Sequence, residues 1–525
     1  MSITAPIAVE AARFAEALKA MRSVVGKEWV FASSEDVERY RDHMAFEDVA
    51  VNAPSAAVAP LGLDQIQKII AIARDNHIPV WAISTGRNLA YGGSAPRKQG
   101  TVTLDLKRNN RILEVNEELC YAVVEPGVSF FQLYRHLREI GSKLWIDTPS
   151  PGWGGIMGNM LERGVGYTPY GDRFLWQCGM QLILADGTVV ETGMAAQDNS
   201  SENALGNHSY RYGGGPWIDG LFTQSNFGIV TKVGIQLMPE PPGYRPYLIT
   251  VPEDDDIAQI SEIIRPLKLA HIIPNAAVSC SLNLEAATSL DRRKYHEGPG
   301  PVPESGRKRM MADLNCGKWN FYASLYGPEP VMDAHWEVIR DSFATIKGAK
   351  FFTLEERAKA GDVVAGYRAK LMRGEPNMTE FGILNWMPNG AHLGFSPVAP
   401  VDGQIALDQY RLATEICSRY GFDYTGMFIV GFRAMHHIVE PIFSRDDEEQ
   451  RGRLIKMVAE LIDEAAKRGY GEYRGHLTYM DQIASTYGWG DQALMKLSQR
   501  VKGALDPQGI LAPGKSGIWP QAGAA

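Results

Sequence analysis

Tyr473 and Arg474 are adjacent, directly after Gly469-Tyr470-Gly471-Glu472. A guanidinium carries a permanent positive charge and a tyrosine hydroxyl donates a hydrogen bond, so the pair could clamp a phenolate. It is equally the kind of pair found on any protein surface. Among the eleven histidines, His392 has an unusual setting. It stands where the turn Pro388-Asn389-Gly390 enters the apolar, strand-like run Leu393-Gly394-Phe395. His436 and His437 are neighbours, so on a strand they point to opposite faces and at most one faces a given pocket. No histidine pair has HxH or HxxxH spacing, and no metal site is expected.

Three glycine-bearing loops are candidates for holding phosphate. The first is Ser84-Thr85-Gly86-Arg87-Asn88-Leu89-Ala90-Tyr91-Gly92-Gly93. Its glycines allow positive φ or close approach of a ligand, and successive N–H groups in such a loop form an anion nest. Arg87 adds charge. A tight surface loop between two strands is the simpler local reading. The stretches 158–172 and 224–230 repeat the theme, which suggests an extended dinucleotide laid along one domain. Gly509 to Ser516 satisfies GxxxxGK[ST], but Pro520 follows and leaves no room for the helix that a P-loop requires. With no GxGxxG anywhere, a Rossmann site is unsupported.

These residues need a scaffold. Ile66, Ile69, Ile70 and Ala73 repeat at helical spacing behind Asp64, a candidate N-cap. Short apolar runs at 79–83, 101–106 and 121–125 read as strands, giving a mixed α+β region. The proline-rich 239–243 segment marks a domain boundary. Beyond it, 254–270, 332–346 and 454–465 read as helices, 319–325 as a strand and 292–308 as a surface loop. Ile510, Leu511, Ile518 and Trp519 make the C-terminal segment too apolar for a free tail, so it is expected to pack back on the first domain.

The chain has 525 residues, a formal net charge of −8, and 22% charged residues. That is ordinary globular composition and argues against a nucleic-acid partner. Five cysteines, far apart and without a CxxC pair, fit a reducing cytoplasm. No secretory leader is expected in MSITAPIAVEAARF, and no membrane span. The sequons at Asn199, Asn207 and Asn377 read as chance matches.

Read together, the motifs identify a resemblance. STGRN-x-x-YGG at 84–93, VEPGV at 124–128, GN-x-x-ERGVGYTPYGD at 158–172 and GLF-x-QSN-x-GIVTK at 220–232 lie in the first part. WNFY-x-x-LYGPEP at 319–330, PNGAH-x-x-FSP at 388–397, MHHIV at 435–439, GEYR-x-H at 471–476 and DP-x-GI-x-APGKSGIWP at 506–520 follow. In this order and spacing they resemble the vanillyl-alcohol oxidase family of flavoproteins over almost the whole length. The resemblance implies an α+β, two-domain covalent-flavoprotein fold. An FAD-binding domain would take 1–240 with a C-terminal return of about 500–525, and a cap over the flavin ring would take 241–499.

The resemblance also implies roles. His392 matches the histidine joined to the flavin 8α carbon. Tyr91, Tyr473 and Arg474 match the residues that hold the substrate phenolate. Gly86, Asn159, Gly228 and Ile229 lie in FAD-contacting loops, and Arg87, Asn88, Gly92, Arg163 and Lys515 are expected beside them. Ser396, Met427, Ile429 and His436 fall at pocket positions. Ser150 stands where the oxidases carry an aspartate that directs water, which leaves hydroxylation open, and Met427 makes the pocket more apolar. His43 is the candidate helper for flavin attachment. The implied activity is oxidation of para-alkylphenols through a quinone methide, with O2 reduced to H2O2, in a homodimer or higher oligomer. The alternative is a cytochrome-linked dehydrogenase; a non-catalytic flavin- or aromatic-binding protein is disfavoured by the Tyr/Tyr/Arg set.

Overall fold

The computed structural model describes residues 9–47, 51–197 and 206–520. Asn199, residues 1–8 and the last residues of the C-terminal segment, 521–525, lie outside that range.

A small sheet opens the fold, in the order Val30–Phe31, Ala56–Val58, Val102–Asp105, Val80–Ile83. Val102–Asp105 runs parallel to both of its neighbours, Ala56–Val58 and Val80–Ile83. Parallel strands need a crossover, and the helix Gly62–Asp75 provides it, burying Ile66, Ile69, Ile70 and Ala73 on one face. Asp64 is not its N-cap. Leu61 takes that position and Asp64 sits in the first turn, where its charge still suits the positive end of the helix dipole. A five-stranded antiparallel sheet follows, ordered Ile112–Asn116, Tyr121–Val124, Ile229–Gln236, Gln177–Ile183, Val189–Glu191.

The third sheet has eight antiparallel strands. Their order is Lys350–Thr353, Tyr244–Val251, Trp319–Tyr326, Ala277–Ser281, Gly426–Val430, Ala434–Val439, Pro397–Pro400, Gly471–Glu472. Helices Asp256–Leu269, Glu329–Phe343, Gly403–Arg419 and Glu448–Lys467 supply buried faces to its principal core, around Trp319, Phe321, Phe343 and Phe428. The expected loop at 292–308 is shorter than its composition suggests. Residues 304–308 begin the helix Glu304–Leu314, which buries Gly306 and Met310 behind an extended Pro303.

The chain end returns to the first sheet. Leu511 bridges Val80 in parallel, Val80 N donates to Ile510 O (2.8 Å) and Ala512 N to Val80 O (2.7 Å). Asn226 Nδ2 donates to Ala512 O and Ile518 O, at 3.0 and 2.8 Å. The five cysteines are all free thiols. Among the described residues no helix is long and apolar enough to cross a membrane, and no cluster of side chains is arranged to hold a metal.

Candidate active site

Two cavities meet at the 84–93 loop. The first is a cleft of about 1290 Å³, counted to its open mouth. Strand Val80–Ile83 and the loop behind it form one wall, with Gly86, Arg87, Asn88 and Tyr91. Helix Ile156–Leu161 forms another with Asn159, and Gly228, Ile229, Ala512 and Lys515 close the far side. Gly86 has φ +67° and Gly93 +59°, backbone that favours glycine. A Cβ on Gly155 or Gly158 would press on Ser84 Oγ at 2.8 or 2.3 Å, so the helix start approaches the loop because both are glycine. The cleft presents the cations Arg87, Arg474 and Lys515 against one carboxylate, Glu162. Burial pushes the Glu162 carboxyl up, but Lys515 and Arg474 overrule it and hold it below its ordinary range. That excess of positive charge beside a helix start suits a pyrophosphate.

The second cavity, about 920 Å³, shares Arg87, Asn88, Tyr91, Gly154, Asn159 and Arg474 with the first. It runs inward to Ser150, Tyr167, Glu380, His392, Met427, Ile429, Glu440 and Tyr473. The Arg474 guanidinium carbon lies 4.0 Å from the centre of the Tyr91 ring, and Nη2 donates to Asn88 Oδ1. Arg474 Nε is buried without a partner. Tyr473 is fixed through its backbone: N donates to Ser396 O (3.4 Å), and its carbonyl accepts from Gln224 Nε2 (2.8 Å). The ring of His436 meets its edge at 4.8 Å. The reading of Tyr473 and Arg474 as a surface pair therefore fails, because both line a cavity.

Burial raises Tyr91 and Tyr473 above the ordinary phenol range, with Arg474 opposing in both cases. Both hydroxyls stay protonated at neutral pH. Burial lowers His392 and His436 to about 4, so both rings are neutral. Met427 and Ile429 are two apart on Gly426–Val430 and share one face of that strand, making an apolar wall. Ser150 Oγ is hydrogen-bonded to Tyr167 OH (2.7 Å).

Arg163 has a backbone φ of 54°, and its guanidinium donates to Thr223 Oγ1 at 2.9 and 3.2 Å. Gly92 packs under Leu477 instead of facing the cleft, and a Cβ there would lie 2.1 Å from Leu477 Cδ2. Ser396 and His436 both contact Tyr473, Ser396 through its carbonyl and His436 through its ring. Lys515 lines the cleft but is paired with Glu162. His43 is tied through its carbonyl to Arg445 Nη1 (2.8 Å); the group that faces His392 is Glu440, Nδ1 to Oε1 3.7 Å. Sequence reasoning missed Glu380, Glu440 and Tyr167. A lone carboxylate inside the apolar run Ile438-Val439-Glu440-Pro441-Ile442 was the available signal for Glu440.

Two family descriptions match the chain: "FAD binding domain" over 54–193 and "FAD linked oxidases, C-terminal domain" over 392–516. The 4-cresol dehydrogenase [hydroxylating] flavoprotein subunit of Pseudomonas putida is 39% identical over 98% of this chain and 97% of its own length. The chain belongs to the vanillyl-alcohol oxidase family. Two solved structures carry the same architecture. A 4-ethylphenol oxidase from Gulosibacter chungangensis, in complex with isoeugenol, is 40% identical with a TM-score of 0.95, covering 99% of both chains. A p-cresol methylhydroxylase with substrate bound is 39% identical with a TM-score of 0.94, covering 98% of this chain and 99% of that one. Membership makes this chain an FAD-dependent oxidoreductase with the mixed α+β flavoprotein fold. The residues fit that cofactor: a cationic, glycine-lined cleft leads into a chamber where His392 holds a buried Nδ1 without a hydrogen-bond partner.

Proposed function

We propose that the chain oxidises para-alkylphenols at the benzylic carbon, with FAD joined to His392 and dioxygen as the electron acceptor. The observation that carries this is Arg474 stacked 4.0 Å over Tyr91, with Tyr473 in the same chamber wall. A neutral phenol is a poor hydride donor. Its phenolate pushes electron density through the ring to the para carbon's substituent. Tyr91 and Tyr473 donate to the phenolate oxygen and Arg474 supplies fixed positive charge, in a site where charge-assisted hydrogen bonds are strong. Met427 and Ile429 face the alkyl chain. Bound FAD supplies the hydride acceptor. The oxidised substrate is a para-quinone methide, which either takes water to give an alcohol or loses a proton to give a vinylphenol. Small alkylphenols such as 4-ethylphenol, 4-propylguaiacol or eugenol-like compounds suit an apolar wall with Ser150 beside it.

Among the cofactor contacts we assign Gly86, Arg87, Asn88, Asn159, Gly228 and Ile229 to FAD. We place the FAD-binding domain at 1–240 with the return from about 500, supported by the Leu511–Val80 bridge, and the cap at 241–499. A homodimer and a cytoplasmic location are part of the proposal, the latter supported by five unpaired thiols. Sedimentation of the pure protein tests the dimer. A second reading passes the electrons to a cytochrome. The likeness to a relative named as a dehydrogenase's flavoprotein subunit favours it and Ser150 does not count against it, while His392 does. Peroxide release by the isolated chain on 4-ethylphenol separates the two: stoichiometric H2O2 supports the oxidase, and none overturns it.

A further inference from the structure

Glu440 directly follows the strand Ala434–Val439 and opens onto the inner chamber. Its backbone is clamped on both sides: N donates to Thr425 O (2.7 Å), and its carbonyl accepts from Thr425 Oγ1 (2.5 Å). His392 comes from the neighbouring pair, where Gly390–His392 runs antiparallel to Ile442–Ser444 with His392 opposite Ile442. Glu440 stands two residues before Ile442, and Leu393 N donates to Pro441 O (3.3 Å), so the pairing brings the imidazole and the carboxylate together. Both residues are 9% exposed. His392 Nδ1 lies 3.7 Å from Glu440 Oε1, and Nδ1 and Glu440 Oε2 are both buried without a hydrogen-bond partner. A shift of about 1 Å closes the first gap to hydrogen-bond length. The other charged groups acting on this carboxyl are Glu380, from the 3-10 helix Thr379–Trp386, and Arg368, from the helix Val363–Leu371. Burial and then Glu380 push Glu440 up to about 8, with Arg368 opposing.

We infer that Glu440 is the base that couples His392 to FAD. The inference rests on the reading that His392 carries the flavin. A neutral ring with its proton on Nδ1, toward Glu440, leaves the Nε2 lone pair free as nucleophile. Nε2 forms the bond to the 8α carbon as one C–H bond of that methyl breaks, and the electron pair passes into the flavin ring system. The methyl proton is released and the Nδ1 proton passes to Glu440. Dioxygen then takes the electron pair with two protons as hydrogen peroxide, returning the flavin to its oxidised state. Afterwards a protonated Glu440 donates to the bare Nδ1 and holds the linked ring in place. A carboxyl pushed up to about 8 suits both duties, because it accepts the proton and then keeps it.

The test uses the full chain, produced under riboflavin limitation and then given FAD, in four forms: unaltered, Glu440→Gln, Glu440→Asp and His392→Ala. Native flavin content is read first, then the flavin that stays with the chain in acid, over time and from pH 6 to 9. The unaltered chain should couple faster as pH rises toward about 8. Glu440→Gln should bind FAD natively yet couple at least about 100-fold more slowly, without that pH dependence. Coupling of Glu440→Gln at the unaltered rate overturns the inference. If Glu440→Gln binds no FAD at all, the aspartate form decides: slowed coupling that still rises with pH supports the base, and an unchanged rate overturns it. Retention of flavin in acid by His392→Ala would instead sink the His392 reading, and Glu440 with it.

Discussion

On the proposed reading, replacing Arg474 by alanine removes the permanent cation that stacks on Tyr91 and is set against the substrate oxygen. At about 4 Å and an effective dielectric near 20, a unit charge pair interacts by about 4 kcal/mol. Truncating one partner of a buried, hydrogen-bonded charge pair costs about 2–5 kcal/mol. Taking about 3 kcal/mol as central, kcat/KM for 4-ethylphenol at pH 7 falls by about 150-fold. The pH dependence carries the mechanism. A free phenol ionises near pH 10, so without Arg474 the phenolate must come from solution, and activity climbs about tenfold per unit between pH 7 and 9.5. The deficit relative to the unaltered enzyme therefore shrinks as pH rises. Arg474→Lys keeps the charge but loses the planar contact over Tyr91 and the fork that reaches Asn88, and should lie between the two. Stopped-flow bleaching of the flavin across that range provides the assay. A loss under about fivefold, or one constant with pH, refutes the claim that Arg474 stabilises a bound phenolate.

Tyr91→Phe removes one donor and should cost about 1.5–3 kcal/mol in kcat/KM, with native FAD content unchanged; a simultaneous loss of FAD would show a structural role instead. Ser150→Asp replaces the hydroxyl that bonds Tyr167 with a carboxylate beside the chamber, so chromatography of the 4-ethylphenol products should show more alcohol and less 4-vinylphenol. Lys502 is 1% exposed and its ammonium holds Asp506, Asn226 O and Leu511 O at 2.6–2.7 Å. Lys502→Met strands Asp506 in the interior and should destabilise the chain end by about 3–5 kcal/mol, read as a lower urea midpoint for FAD release.

The sequence carried its long-range periodic features well and its side-chain directions poorly. The helix at Gly62–Asp75 was legible because Ile66, Ile69, Ile70 and Ala73 must all face one core, a constraint written in spacing. The C-terminal segment's apolar residues likewise announced burial. Asp64 misled because a cap is decided by backbone φ and ψ at Leu61, which composition does not encode. Arg163 is placed by its motif beside the cofactor, and the contact of its guanidinium with Thr223 is one that motif position does not encode. Tyr91, Tyr473 and Arg474 come from segments more than 380 residues apart in the chain, as the Asn88–Arg474 contact shows. Nothing local predicts that meeting, so it was legible only through resemblance. Glu440 was missed because its importance lies in a pairing with His392 that exists only once two short strands are in register.

The most direct test follows the flavin itself. The purified protein is denatured in acid to see whether the yellow colour stays with the chain. A native sample is then given 4-ethylphenol without oxygen, and finally air. The account predicts retained colour, bleaching on substrate, and rapid recolouring with hydrogen peroxide as product. Flavin that leaves with the acid supernatant, or stays oxidised in the presence of the phenol, would contradict it.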